Sequence, residues 1–472
     1  MQKSLKKIAH TVTNKYFIII LAALLSPTTM SLPINLDNVA FSKPEAVGMS
    51  TEKLRQLDLV LETYIADEKI QGAVVAVSRY GELVYFEAHG EADHANGVKM
   101  QRDSMFQMWS STKPVLGVAA MIAMERGLFK PSDLVQNHIP AFKDIPVAVL
   151  GEPKHRDISP AYVWASPANN SAGFFTRILD KIWYRFTDGF IWSVPEHRLV
   201  PAKRPITIHD LLTHTAGLGT YGLGTAVSEW GADIANKNIN SMADETLESL
   251  INRAAKGPLD FQPGTRWMYS PYLGLDVVAR IIEINSGQPF NDFVQQNIFD
   301  SLDMRDTYWN MPPKSKLSRV VVIADMETGG KGKSASVPTE SSYYSGSVGL
   351  ISTARDYLLF EEMLLNKGTH KGHELITAKS VELMSADHVG KLFSAGGKGK
   401  GNGEGFGYSV SVTLEPEAAE IPKSKGAFGW AGAAGTISWN EPKTGLAVVI
   451  MVQQPTKDLP KDVSKTINLS LM

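Results

Sequence analysis

Three short segments of this chain carry residues whose types and spacing could do chemistry. In Ser110-Ser111-Thr112-Lys113, positions three apart on a helix share a face, so Ser110 and Lys113 can be neighbours. A serine hydroxyl is a weak nucleophile until a nearby group takes its proton, and a lysine amine does this when burial or another cation makes its own proton easier to lose. A serine at a helix start also meets free backbone N–H groups and the positive end of the helix dipole, which favour developing negative charge. The same four residues also spell an N-terminal cap followed by a surface lysine, so the tetrapeptide alone decides nothing.

The second segment is Pro263-Gly264-Thr265-Arg266-Trp267-Met268-Tyr269-Ser270. A phenol near ammonium groups can give up or relay a proton close to neutral pH, because positive charge stabilises the phenolate. Taken alone, Tyr269 reads equally as a half-buried packing residue. The third is Gly429-Trp430-Ala431-Gly432-Ala433-Ala434-Gly435-Thr436, where small residues let a substrate approach the backbone and one N–H can complete an oxyanion hole. Tight packing of a strand on a helix would use the same residues.

Other chemistry is excluded or unsupported. The 472 residues contain no cysteine, which removes disulfides, thiolate nucleophiles and thiolate zinc sites. There is no HExxH and the histidines are scattered, so no metal or other cofactor is expected. Glu327 stands where the leading glycine of a phosphate loop would be, which rules out that reading of the stretch ending at Lys333-Ser334. A formal charge of -2, with 43% hydrophobic and 20% charged residues, excludes a disordered tail and a nucleic-acid partner held by bulk positive charge.

The elements that must position these residues follow from periodicity. Leu54, Leu57, Leu61 and Tyr64 fall near one helical face after Met49-Ser50-Thr51-Glu52, and Gly72 to Arg79 with Glu82 to Glu87 reads as a hairpin around Tyr80-Gly81. Strands are expected from Gly407 to Leu414, Ala427 to Trp439 and Leu446 to Gln453, the last pair closing through Asn440 to Gly445. Between these β regions the pattern is helical: Val115 to Glu125, Ile208 to Thr213, Leu275 to Asn285, Ala354 to Leu365 and Ala378 to Met384. The order predicts an α+β fold, an antiparallel sheet built from both chain ends and flanked by helices, with an all-helical subdomain inserted. The sheet subdomain spans about 41–107 and 345–472 and the helical one about 108–344, within a catalytic domain of 41–472. Gly329 to Lys333 and Gly396 to Gly405 read as surface loops.

Several motifs in one order make the chain resemble a family: the serine β-lactamase and penicillin-binding-protein superfamily, in the branch nearest class C β-lactamases and family VIII (EstB-like) carboxylesterases. The resemblance adds Pro44 to Ser50, Ile206-Thr207-Ile208-His209-Asp210-Leu211-Leu212-Thr213-His214-Thr215-Ala216-Gly217-Leu218 and Gly349 to Tyr357 to the three segments. It implies that Ser110 is the acylated nucleophile, Lys113 its activating partner and Tyr269 the general base and acid. The N–H groups of Ser110 and Ala433 would form the oxyanion hole, and Trp430, Ala431 and Gly432 would line the substrate. His214 resembles a packed structural position. There is no G-x-S-x-G elbow, the main other route to a serine esterase.

Two departures narrow the expected activity. The family's Tyr-x-Asn is here Tyr269-Ser270-Pro271, and its Lys-Thr-Gly is here Trp430-Ala431-Gly432. Losing an amide donor and a carboxylate-holding lysine favours neutral, apolar esters over β-lactams or D-Ala-D-Ala peptides. The alternatives are β-lactamase or carboxypeptidase-like action on peptidoglycan-like peptides, and a catalytically weak penicillin-binding or envelope protein. A literal Lys443-Thr444-Gly445 sits in the turn before the last strand and is expected to be a decoy.

Residues 1–31 carry Lys3, Lys6, Lys7 and Lys15 ahead of the apolar run Tyr16 to Leu25, the layout of a secretory signal peptide, which implies a periplasmic or secreted protein. Residues 151–204 read as an insertion. Within it Phe174, Phe175, Ile178, Leu179, Ile182, Trp183 and Phe186 make segment 173–187 an amphipathic helix, read as a packing face, or as a lid or membrane-surface contact.

Overall fold

The chain divides into two units, Met1–Ala40 and Phe41–Met472. The computed structural model describes residues 41–151, 196–231, 245–325, 330–331, 341–395, 402–456 and 458–472, all in the second. The leader, the amphipathic segment 173–187 and most of the insertion 151–204 lie outside the described residues.

Eight strands form one antiparallel sheet: β1 (Gly72–Arg79), β2 (Glu82–Asp93), β3 (Val98–Lys99), β4 (Glu404–Phe406), β5 (Ser411–Thr413), β6 (Phe428–Ala431), β7 (Ile437–Glu441) and β8 (Leu446–Met451). Their spatial order is β4-β5-β6-β7-β8-β1-β2-β3, so the two ends of the chain meet where β1 pairs with β8. Both of these strands are continuous apolar runs, buried along almost their whole length, as strands covered on both faces must be.

The helices used below are α1 (Gln56–Ala66), α2 (Lys113–Glu125), α3 (Ile208–Leu212), α4 (Leu273–Ser286), α5 (Ala354–Leu365), α6 (Ala378–Ser385), α7 (Lys391–Ala395) and α8 (Leu459–Ser470). Leu57, Leu61 and Tyr64 of α1 and Val463 and Ile467 of α8 pack on Val75, Val77, Val448 and Ile450. On the opposite face α5 sends Glu361 to Ser438 Oγ (2.5 Å) and Asn440 Nδ2 (2.5 Å), the two residues of β7 that alternate with Trp439. The start of α5 is fixed as the sequence suggests, with Thr353 accepting from the Asp356 N–H. An α+β fold with a sheet from both chain ends is therefore observed.

Three local expectations are corrected. The single strand expected from Gly407 to Leu414 is the second half of a hairpin: β4 and β5 reverse through Gly407, whose N–H reaches the Val410 carbonyl (2.8 Å). The single strand expected from Ala427 to Trp439 is also two, β6 and β7, paired Trp430 to Ser438. Their turn closes by Gly432 N–H to Thr436 O (2.7 Å), with Gly435 at φ 102, a conformation open to glycine and closed to most other residues. The inserted region is also not purely helical, because Pro146–Leu150 pairs with His197–Pro201 and Ala324–Asp325 with Gly330–Lys331. Valines at alternate positions in Pro146–Leu150 suit a ribbon better than a helix.

Burial pushes the Glu361 carboxyl up to about 8. An unfolded chain would lose that proton near the ordinary value of 4.5, so between these values the folded chain holds more protons and stability declines as pH rises. Glu361→Gln removes the ionisation; its Oε1 can accept from Asn440 Nδ2 while its Nε2 donates to Ser438 Oγ, reversing that bond. Its Tm is expected to decline less steeply than wild type between about pH 5 and about pH 8 in thermal melts.

Candidate active site

The site is built around the start of α2. Residues Trp109–Thr112 form a 3-10 turn and the α-helix proper begins at Lys113, slightly later than the sequence suggests. A 3-10 turn eclipses residues three apart, so the expected pairing survives: Lys113 Nζ lies 3.2 Å from Ser110 Oγ. Trp109, immediately before the serine, has φ 48, a left-handed conformation an aromatic residue adopts only when its surroundings impose it.

Lys113 is wholly buried. An ammonium has three N–H donors, and here they meet three acceptors: Ser110 Oγ, the Pro271 carbonyl (2.7 Å) and the Ser347 carbonyl (2.9 Å). Without such partners, burying this charge would cost several kcal/mol. Pro271, noted in the sequence only for the amide it lacks, thus supplies a backbone acceptor to the lysine.

Tyr269, just ahead of α4, donates its OH to Ser110 Oγ at 2.8 Å. Trp430 Nε1 donates to the same phenol oxygen at 3.3 Å, and Lys113 Nζ stands 5.2 Å from the Tyr269 ring centre. The structure thus brings Ser110, Lys113, Tyr269 and Trp430 into one cluster. Tyr269 and Trp430 belong to an aromatic wall with Trp267, Phe393 and Phe406, in which the Phe406 and Trp430 rings are 5.2 Å apart. His214 is packed as expected: buried, its ring 4.9 Å from that of Tyr269, its Nδ1 accepting from the Ser270 N–H (3.3 Å). Burial, and secondarily the charge of Lys113, hold its imidazole well below the ordinary value, hence neutral.

The turn between β6 and β7 docks against the serine segment. Thr436 Oγ1 donates to the Met108 carbonyl (3.1 Å) and lies 3.1 Å from Ser111 Oγ, while Tyr357 of α5 donates to the Ser111 carbonyl (2.6 Å). A Cβ on Gly432 would stand 2.3 Å from the Met108 carbonyl oxygen. Sequence reasoning tied this glycine to substrate approach; the structure ties it to docking of the turn. Ala431 ends β6 opposite Ile437, and Ala433 lies exposed in the turn. Trp430 sits near the end of β6 and Lys443 lies exposed in the β7–β8 turn. The two are at opposite ends of β7, one short strand apart rather than the long strand expected.

Asp276 was missed. It is a wholly buried carboxylate on α4 that accepts from Tyr343 Oη, from Ser345 Oγ (2.8 Å) and from the Ser347 N–H (3.0 Å). The available signal was a lone acid in the apolar run Leu275-Asp276-Val277-Val278, which only a buried partner set explains. Among the described residues no group of three or more His, Asp or Glu is arranged to hold a metal ion.

A family model described as Beta-lactamase matches residues 57–468. The chain is 26% identical over 435 residues to Esterase EstB of Burkholderia gladioli, covering 88% of this chain and 93% of that protein. It is 26% identical over 344 residues to Lovastatin esterase of Penicillium rubens, covering 71% and 73%. Among solved structures, EstCE1, described as a hydrolase with promiscuous acyltransferase activity, matches with a TM-score of 0.64 at 20% identity over 88% of this chain and 99% of that one, a likeness of fold.

Gly432→Ala is expected to lower ester turnover by about a hundredfold, because a displaced turn moves the serine segment it clamps. Lys443→Ala should leave turnover at the wild-type level. Initial rates on a nitrophenyl ester compare the two, and the reverse pattern would contradict the placement of the site.

Proposed function

This chain belongs to the Beta-lactamase family, and on that footing we propose that it is a serine hydrolase cleaving neutral carboxylic esters through an acyl-enzyme on Ser110. The observation that carries the reading is the convergence of a buried lysine and a tyrosine hydroxyl on one serine oxygen, at 3.2 and 2.8 Å. In acylation Ser110 Oγ attacks the ester carbonyl carbon and its proton passes to the oxygen of Tyr269, the proposed general base, once the phenol proton that Tyr269 donates to Ser110 at rest has gone to solvent. The alkoxide leaves as the C–O bond breaks and takes that proton, so an alcohol departs. Water then attacks the acyl carbon, gives its proton to Tyr269, and the proton returns to Ser110 as the carboxylic acid is released. The N–H groups of Ser110 and Ala433 are the proposed donors to the oxyanion.

Ester over β-lactam or peptide is supported by the wall the substrate would meet. Trp430 offers the site an indole whose N–H is engaged by Tyr269, and Trp267, Phe393 and Phe406 extend the apolar surface. None of these holds a carboxylate, whereas neutral acyl or alcohol groups gain by burying area against them. The similarity to Esterase EstB and Lovastatin esterase supports the same substrate class. The leader over residues 1–31 supports placement in the periplasm or outside the cell.

The test is a panel of a short-chain nitrophenyl ester, nitrocefin and a D-Ala-D-Ala peptide. Wild type should turn over the ester far faster than the other two. Ser110→Ala should fall below about a hundredth of wild type while keeping its fold, since Ser110 caps no helix and each hydrogen bond it loses contributes only about 1 to 3 kcal/mol. Tyr269→Phe and Lys113→Ala should be similarly impaired and non-additive with Ser110→Ala. Preference for nitrocefin or the peptide would overturn the substrate assignment, and an active Ser110→Ala would overturn the nucleophile.

A further inference from the structure

One residue removed from Lys113 lies a second buried ionisable group for which the steps above have no role. Asp276 is wholly buried and projects from α4 toward the segment that precedes Leu350–Ser352. Three donors converge on it from that segment: Tyr343 Oη, Ser345 Oγ (2.8 Å) and the Ser347 N–H (3.0 Å). Ser347 is the hinge of the arrangement. Its N–H points to Asp276, its carbonyl accepts from Lys113 Nζ (2.9 Å), and its hydroxyl donates to the Tyr272 carbonyl. A single residue therefore connects the buried carboxylate to the buried ammonium.

We propose, building on the acyl-enzyme reading, that Asp276 is a positioning residue: its carboxylate fixes the Ser345–Ser347 segment that holds Lys113 and is the buried counter-charge of the Lys113 ammonium. The two carbonyls around Lys113 carry no net charge, so they satisfy its N–H groups without neutralising it. A carboxylate bound only by donors does so, at a cost its own hydrogen bonds offset. Of its three partners the Ser347 N–H can only donate, and the Tyr343 and Ser345 hydroxyls are oriented to donate as well. Burial pushes the Asp276 carboxyl up; the bonds from Tyr343, Ser345 and Ser347 and the charge of Lys113 oppose this. The ionisable groups facing Asp276 are Lys113 from α2, Tyr272 at the start of α4 and Tyr343, whose own proton is held by burial and by Asp276. Glu245 acts on Tyr343. Around Lys113 stand Tyr269 and the neutral His214.

The arrangement has a consequence that a purely structural role lacks. Removing a negative charge makes every neighbouring proton easier to lose. In Asp276→Asn the base must therefore reach its active form at lower pH, and the ammonium must also be lost at lower pH. Both limbs of the kcat/KM profile move together.

The experiment is the pH profile of kcat/KM on a nitrophenyl ester for wild type, Asp276→Asn and Tyr343→Phe. Asp276→Asn keeps the shape of the side chain and should slide the whole profile to lower pH by about one unit. Tyr343→Phe strips the carboxylate of one donor and should move it the same way by less. Profiles that keep the wild-type position in the variants that fold, whatever their height, would overturn the proposal. A wild-type enzyme whose activity survives Ser110→Ala would instead overturn the acyl-enzyme reading, so the two failures are told apart.

Discussion

The structure depends on keeping one ammonium in a place without water. Lys113 has no exposed surface, and a charge so placed is tolerable only where acceptors meet it at hydrogen-bond distance. Those acceptors come from distant parts of the chain: Ser110 at the start of α2, Pro271 before α4 and Ser347 before Leu350–Ser352. Folding the lysine inside therefore brings together the segments that carry the serine, the tyrosine and Asp276. The interaction that solves the burial problem is also the one that assembles the chemistry.

The sheet contributes by clamping. The β6–β7 turn and α5 both hold the backbone on either side of Ser110, through Thr436 to Met108 and Tyr357 to Ser111. This leaves the serine oxygen placed by its neighbours on both sides rather than by a flexible loop, which is what orientation-dependent attack requires. The same β6 delivers Trp430 to the phenol oxygen of Tyr269, presenting an apolar ring with one directed donor. One hairpin both clamps the Ser110 segment and presents Trp430.

Much of this was legible in the sequence because it is local or periodic. Ser110 and Lys113 are three apart, α5 runs over the residues its apolar spacing marks, and the continuous apolar run of β8 reads as a buried strand. The two missed hairpins have different causes: Glu404–Phe406 ends a Gly/Lys-rich stretch that reads as a surface loop, whereas the Gly432 to Gly435 turn, with Gly435 at φ 102, lies between β-forming flanks and is made by glycine and alanine, which leave little compositional trace of a turn. Asp276 was missed for a different reason. Its meaning lies in Tyr343 and Ser345, 67 and 69 residues away along the chain, and no periodicity links them. The role of Pro271 was hidden because a backbone carbonyl has no letter in the sequence.

The most direct measurement is the mass of the protein stopped early in turnover of an ester whose acyl-enzyme breaks down slowly, followed by peptide mapping of the adduct. The account requires one acyl group per chain, on the peptide containing Ser110, forming and decaying at rates consistent with turnover. Turnover with no adduct, or with the acyl group on another residue, would contradict it.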